Sequence, residues 1–213
     1  AYNSVAMAPV VALTYLGIKE FMGEFPELTY EERLYNMWPA AAKICMIQIA
    51  YQTFSVGVAL YAGKAPLFSK ELLAHHAVTF TLGVLNLHPF VHYHIIYFGG
   101  VIELSNIPLT IMDVFKAFPK LQKKLPAVNE FCRYTFCVSF LVLRVALWLY
   151  YGSQFHMDCI TGIQTGIIHS MPTVLINQIG NIFLTGLQLF WSTKIIKALR
   201  KAFGGKGKGS KSK

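Results

Sequence analysis

The sequence predicts an all-α membrane protein, a polytopic helical bundle or barrel of about six transmembrane helices. Of its 213 residues 54% are hydrophobic and only 14% are charged, against about 25% charged in ordinary soluble domains. The mean hydropathy is +0.46. From about residue 36 the chain is a series of apolar stretches separated by short polar or basic breaks. Each stretch is long enough, or nearly so, for the roughly 20 helical residues that cross a bilayer core. No internal repeat is evident, so the chain divides into an N-terminal segment and loop (1–36), one transmembrane domain (37–203) and a basic Gly/Lys tail (204–213).

In chain order, the first 22 residues are a shorter apolar segment, either interfacial or the remnant of another span. Residues 20–33 are acidic, contain Pro26, and read as a surface loop. Helices are then expected over about 37–62, 69–87, 89–118, 129–151, 158–170 and 172–203. Pro89 suits a first helical turn, and Pro108 is expected to break the third of these helices. Gly162, Gly166 and Ser170 repeat every four residues, a ridge of small side chains that lets another helix approach closely.

The formal charge of +9 is concentrated in two places. Lys116, Lys120, Lys123, Lys124 and Arg133 form one cluster; Lys194, Lys197, Arg200 and Lys201 lead into Lys206, Lys208, Lys211 and Lys213 at the C-terminus. Basic loops favour the cytoplasmic, matrix or stromal side, which requires an even number of spans between the clusters. The predicted helices number three there. Either the short 158–170 helix forms a kinked hairpin with part of the next, or the tail breaks the rule. No nucleic-acid role is assigned to these charges, because they adjoin a membrane helix and lack interleaved aromatics; anionic headgroups or an acidic protein suit them better. A Gly/Lys/Ser tail has no core of its own and is expected to be held by a neighbouring protein or lipid surface. The start at Ala1, without methionine, is compatible with removal of an organellar targeting peptide. Cys45, Cys132, Cys137 and Cys159 lack metal or redox spacing and read as small packing residues.

Polar residues inside apolar stretches carry the chemistry. His75, His76 and Thr79 share one helical face, where a neutral imidazole could serve as general base; the alternative is a histidine pair bonded to neighbouring helices. Glu103 needs a proton, a partner or a cavity, and Arg144 is its expected partner, with Lys43 second. Ser105 and Asn106 are placed to satisfy backbone freed by Pro108. Asn177, Asn181, Thr185, Gln188 and Ser192 fall within about 80° of one face of the last helix, and Gln48, Gln52 and Ser55 form a matching stripe. Both stripes should point into the bundle, where they either bond across helices or line a cavity. His88, His92 and His94 have poor spacing for a metal, so no metal site is assigned; nor is bis-histidine haem binding through His76 and His169.

Taken together, His75-His76-x-x-Thr79, then Glu103-Leu104-Ser105 with Pro108, then Phe140-Leu-Val-Leu-Arg144, and finally Leu189-Phe-Trp191-Ser-Thr-Lys194-Ile-Ile-Lys197 resemble a TLC domain over about residues 37–201. That family includes ceramide synthases, translocating-chain-associating membrane proteins and TLC-domain-containing proteins. The resemblance implies a helical barrel of about six spans around a narrow cavity that accepts an acyl chain, with the paired histidines in the catalytic region of the synthases. Those enzymes also carry a His-Asp pair and a further Asp on the following span; here the stretch reads Glu103-Leu-Ser-Asn-Ile-Pro108, similar to the non-synthase branch.

The expected role is therefore a lipid-binding barrel that is a structural or accessory subunit of a membrane assembly, or a lipid sensor. Thr79, Ser105, Asn106, Asn177, Asn181, Thr185 and Gln188 would line its cavity. Its partners would be membrane lipids and a larger complex reached through the basic tail, in a plastid or mitochondrial membrane, with the endoplasmic reticulum as the alternative. No cofactor is expected. The enzyme alternative is an acyltransferase with acyl-CoA as substrate, using His75 or His76 as base with Glu103 and Arg144 orienting it.

Overall fold

The structure, a computed structural model, describes residues 2–23, 27–62 and 69–204. The basic residues Lys206, Lys208, Lys211 and Lys213 of the tail lie outside the described residues. Helix α1 is Tyr2–Phe21, α2 is Tyr30–Tyr35, α3 is Pro39–Ala62 and α4 is Lys70–Leu85. Then come α5 (His92–Ala117), the short α6 (Pro119–Lys124), α7 (Pro126–Thr165) and α8 (Met171–Gly204). Among the described residues, α5, α7 and α8 are long and apolar enough to cross a membrane.

The six long helices close into a ring. In order, α1 packs on α3, α3 on α4, α4 on α8, α8 on α7, α7 on α5, and α5 back on α1. At one end α3 also touches the first turns of α5, and the interior is filled there by two clusters. Tyr97, Ile102, Trp148 and Leu184 form one; Leu34 of α2, Phe90, Phe155 and Val174 form the other. The opposite end stays open.

The N-terminal segment, read from sequence as interfacial or the remnant of another span, forms helix α1 and packs against α3 and α5. It is a full member of the ring, because Gly17 of α1 lies against the backbone of Gly100 and Val101 on α5. Only two glycines allow main chains to approach this closely. That crossing coincides with irregular backbone in α5. A π-helical turn spans Ile96–Gly100 and a 3-10 turn spans Val101–Ser105. Helix α5 therefore continues through Pro108 without the expected break, and its distortion sits one to two turns earlier. The α2 capping box is complete, since Thr29 and Glu32 bond each other's backbone. Bonds from the Thr29 backbone and side chain hold the Glu32 carboxyl below its ordinary range.

The sequence-predicted division between helices at 129–151 and 158–170 is also corrected, because α7 runs unbroken from Pro126 to Thr165. Polar residues in its middle are satisfied locally or across the interface: Ser153 bonds the Tyr150 carbonyl at 2.7 Å, and His156 pairs with Gln178 of α8. Without a proline there, polarity alone does not break a helix. The helix ends at Gly166, whose φ of 75° makes it a left-handed cap. Gly166 thus terminates the helix and does not extend a small-residue ridge.

Joining those two segments leaves α7 and α8 as the only spans between the basic clusters, and two is even. Lys116 at the end of α5 and Lys194 near the end of α8 in fact line the same cavity mouth. Both clusters then obey the positive-inside preference together. Single cysteines placed in the α6–α7 turn and after residue 201 are expected to react with an impermeant thiol reagent from the same face of the membrane. Labelling from opposite faces contradicts this topology.

Candidate functional site

All six ring helices contribute to a cavity of about 740 Å³ that opens at the basic end. Helix α4 supplies His75 and His76, α5 supplies Glu103 and Asn106, and α7 supplies Arg144. The first of the sequence-predicted residue sets is therefore brought together. The helix spacing that put His75 and His76 in successive positions aims His75 edge-on at Trp191, with ring centres 5.5 Å apart, while His76 turns to Gln52 of α3 and pairs with its side-chain oxygen. An amide oxygen only accepts, so the His76 proton sits on Nδ1 in the neutral ring. The His75 Nδ1 atom is buried and has no hydrogen-bond partner among the described residues.

Glu103 and Arg144 form the expected pair, with Oε1 and Nη2 3.6 Å apart and both side chains buried. Lys43, the second candidate, is exposed. Arg144 Nε also donates to Ser105 Oγ at 2.7 Å, and Ser105 in turn donates to the Ile102 carbonyl at 2.8 Å. Ser105 thus stands behind the arginine. Asn106 Nδ2 donates to Glu103 Oε2 at 2.6 Å. On the other carboxylate oxygen, Gln48 Nε2 donates at 3.4 Å, and it also reaches the Gly99 carbonyl at 3.2 Å in the widened π turn. Gln52 Nε2 donates to Gln48 Oε1 at 2.8 Å. The polar stripe of α3 therefore links His76 to Glu103 through two amides, forming a layer across the barrel.

Beyond that layer lies a second, smaller chamber of about 90 Å³. Gln48, Thr79, Asn86, His94, Asn177 and Asn181 meet there among apolar side chains. Thr79, Asn177 and Asn181 therefore face this chamber and not the large cavity. Two other predicted cavity residues lie elsewhere. Thr185 accepts from Trp148 Nε1 at 2.8 Å beside an outer groove of α7 and α8, and Gln188 is buried outside both cavities with its amide unpartnered among the described residues.

The closed end holds a cluster that sequence reasoning missed. Asp158 of α7 receives Arg33 Nε at 2.8 Å and Nη2 at 2.5 Å on its two oxygens, and His94 Nε2 lies 2.9 Å from one of them. An aspartate inside an apolar helix was the available signal. His92 is bonded on both ring nitrogens, accepting from the Trp38 backbone at 3.2 Å and reaching the Asn86 carbonyl at 2.9 Å. These histidines thus tie the closed end together. Among the described residues, no three His, Cys, Asp or Glu side chains are grouped to hold a metal ion.

A family model described as the TLC domain matches residues 3–197. The match takes in α1 as well as the helices that carry the motifs. No curated protein and no solved structure matches the chain.

Proposed function

Because the chain belongs to the TLC-domain family, we propose that it binds a lipid in the open cavity of its barrel and serves as an accessory or lipid-sensing subunit of a membrane assembly, not as a catalyst. It is an integral membrane protein of a lipid-associated family. The cavity itself carries the reading. At about 740 Å³ it falls within the roughly 300–1,000 Å³ of small-molecule sites. Its wall combines the aromatic and apolar Phe136, Phe140, Leu72 and Trp191 with the Glu103–Arg144 pair. A charged pair at that depth is tolerated when it borders a cavity that can hold a polar headgroup. Lys116 and Lys194 at the mouth favour an anionic group near the membrane surface. The basic tail would dock on the larger assembly, in a plastid or mitochondrial membrane.

Acyl transfer from acyl-CoA is the second reading, favoured by His75, which lines the cavity and keeps a ring nitrogen without a hydrogen-bond partner among the described residues. A general base needs a group that orients its ring. The bond that orients His76 comes from Gln52, while Glu103 directs its oxygens to Gln48, Asn106 and Arg144. The arrangement therefore favours binding.

Purification from the native membrane in mild detergent, followed by mass spectrometry of extracted lipid, tests the proposal. The expected result is a retained lipid at about one per chain and migration with a larger complex. A lone chain without lipid overturns the accessory reading. Acyl-CoA turnover lost by about a hundredfold or more in His75→Ala or His76→Ala establishes the enzyme instead.

A further inference from the structure

The connection between α5 and α7 is a short helix without an interior. No residue of α6 (Pro119–Lys124) is buried. Lys120, Lys123 and Lys124 fall within about 100° of one side at 100° per residue, and Leu121 lies about 110° from the middle of that sector. Leu121 is 37% exposed, and Phe118 and Leu125, which flank the helix, are 53% and 43% exposed. Among the described residues none of these three lysines has an acidic partner, whereas Lys116, one turn earlier, is paired with Asp113. The fold therefore leaves both the charge and the apolar surface of α6 uncompensated. A single residue on each side joins it to the ends of α5 and α7, so it cannot leave the neighbourhood of the membrane that those helices cross.

We propose that α6 is a surface anchor that gathers anionic lipid headgroups from the leaflet at the basic end. Water leaves Phe118, Leu121 and Leu125 exposed, and an acidic protein surface answers the lysines alone. An anionic bilayer surface answers both, because the ammonium groups meet phosphates while the apolar side chains settle among the headgroups. Lys197, Arg200 and Lys201 at the end of α8 are exposed too, and Lys194 of that helix lines the same cavity mouth as Lys116. The anchor thus adds to a basic collar at the entrance, and headgroups collected there stand where the open cavity takes its ligand. The anchor follows from α6 alone; only its supply of lipid to the cavity rests on the lipid-binding reading above.

The test attaches a bimane probe to the full chain at Leu121→Cys, in a Cys137→Ser background, inside nanodiscs of phosphatidylcholine. Equal amounts of spin-labelled quencher are supplied on phosphatidylcholine or on phosphatidylglycerol. Quenching by the anionic lipid is expected to exceed quenching by the neutral one about fivefold, the enrichment that one lysine supplies near an anionic surface. The excess should vanish in about 1 M salt, where charges are screened beyond about 3 Å, and in the variant carrying Lys120→Gln, Lys123→Gln and Lys124→Gln. Should that variant fail to fold, the salt comparison on the unaltered lysines decides the matter. Equal quenching by the two lipids, or an excess that survives salt or the triple substitution, overturns the proposal. So does a probe that neither lipid quenches; if the native complex then shields it from acrylamide, the occupant is a partner protein. A chain that shows the excess yet retains no lipid on purification refutes the lipid-binding reading and leaves the anchor in place.

Discussion

Arg144→Met is expected to lose about 3–5 kcal/mol of stability, a large part of the roughly 5–15 kcal/mol that separates folded from unfolded protein. The methionine replaces the packing of the stem but not the guanidinium. Glu103 would remain buried with only the amides of Gln48 and Asn106 to meet a carboxylate. Ser105 would lose the donor that fixes its hydroxyl. Adding Glu103→Gln should restore part of the loss, because a neutral amide no longer requires a cation. Thermal unfolding of the parent, the single variants and the double variant measures the coupling. Single variants that melt with the parent would show that the pair does not hold α5 to α7.

Gly17→Val is the second large effect. A Cβ at Gly17 falls on the main chain of Gly100 and Val101, and a Cβ at Gly100 falls on the main chain of Gly17 at 2.6 Å. A side chain in the way can rotate, but a helix backbone cannot. The two helices must separate, at the upper end of the roughly 1–3 kcal/mol typical of overpacking or above it. Protease cleavage after α1 should rise together with the fall in melting temperature. Gly57→Ala is the control for space, since nothing lies within 4 Å of a Cβ there, and inside α3 it should leave stability unchanged or raise it by up to about 1 kcal/mol, the helix preference of Ala over Gly. Equal melting of Gly17→Val and Gly57→Ala would mean that this crossing does not dock α1.

The fold class and half of the site were legible because membrane burial makes polar residues conspicuous. Glu103 and Arg144 could be paired from sequence, since neither charge is tolerable alone in an apolar stretch. The stripes on α3 and α8 could be assigned to the interior for the same reason, and Gln48, Gln52, Asn177 and Asn181 are buried. What hydropathy does not encode is partnership over distance. Arg33 and Asp158 lie 125 residues apart, and nothing local to either identifies the other. Hydropathy also overstates interruptions, as at 152–157, where polar side chains bond within the helix or to Gln178 and the backbone continues. The division into two chambers depends on the Gln52–Gln48–Glu103 bonds, a matter of side-chain direction that residue spacing leaves open. Merging the two predicted segments of α7 was sufficient to remove the charge-parity conflict.

The unbroken α7 has a mechanical consequence. Its 40 residues extend about 60 Å, and at a tilt of about 20° still rise some 56 Å against a bilayer about 40–45 Å thick with its headgroups. Its first turns are exposed except at Asn129 and Cys132 and carry the Glu130–Arg133 pair, 2.7 Å apart. Roughly 10 Å of its length therefore has to lie beyond the headgroups, shared between its two ends, so the ends of this one helix answer to water while its middle answers to lipid.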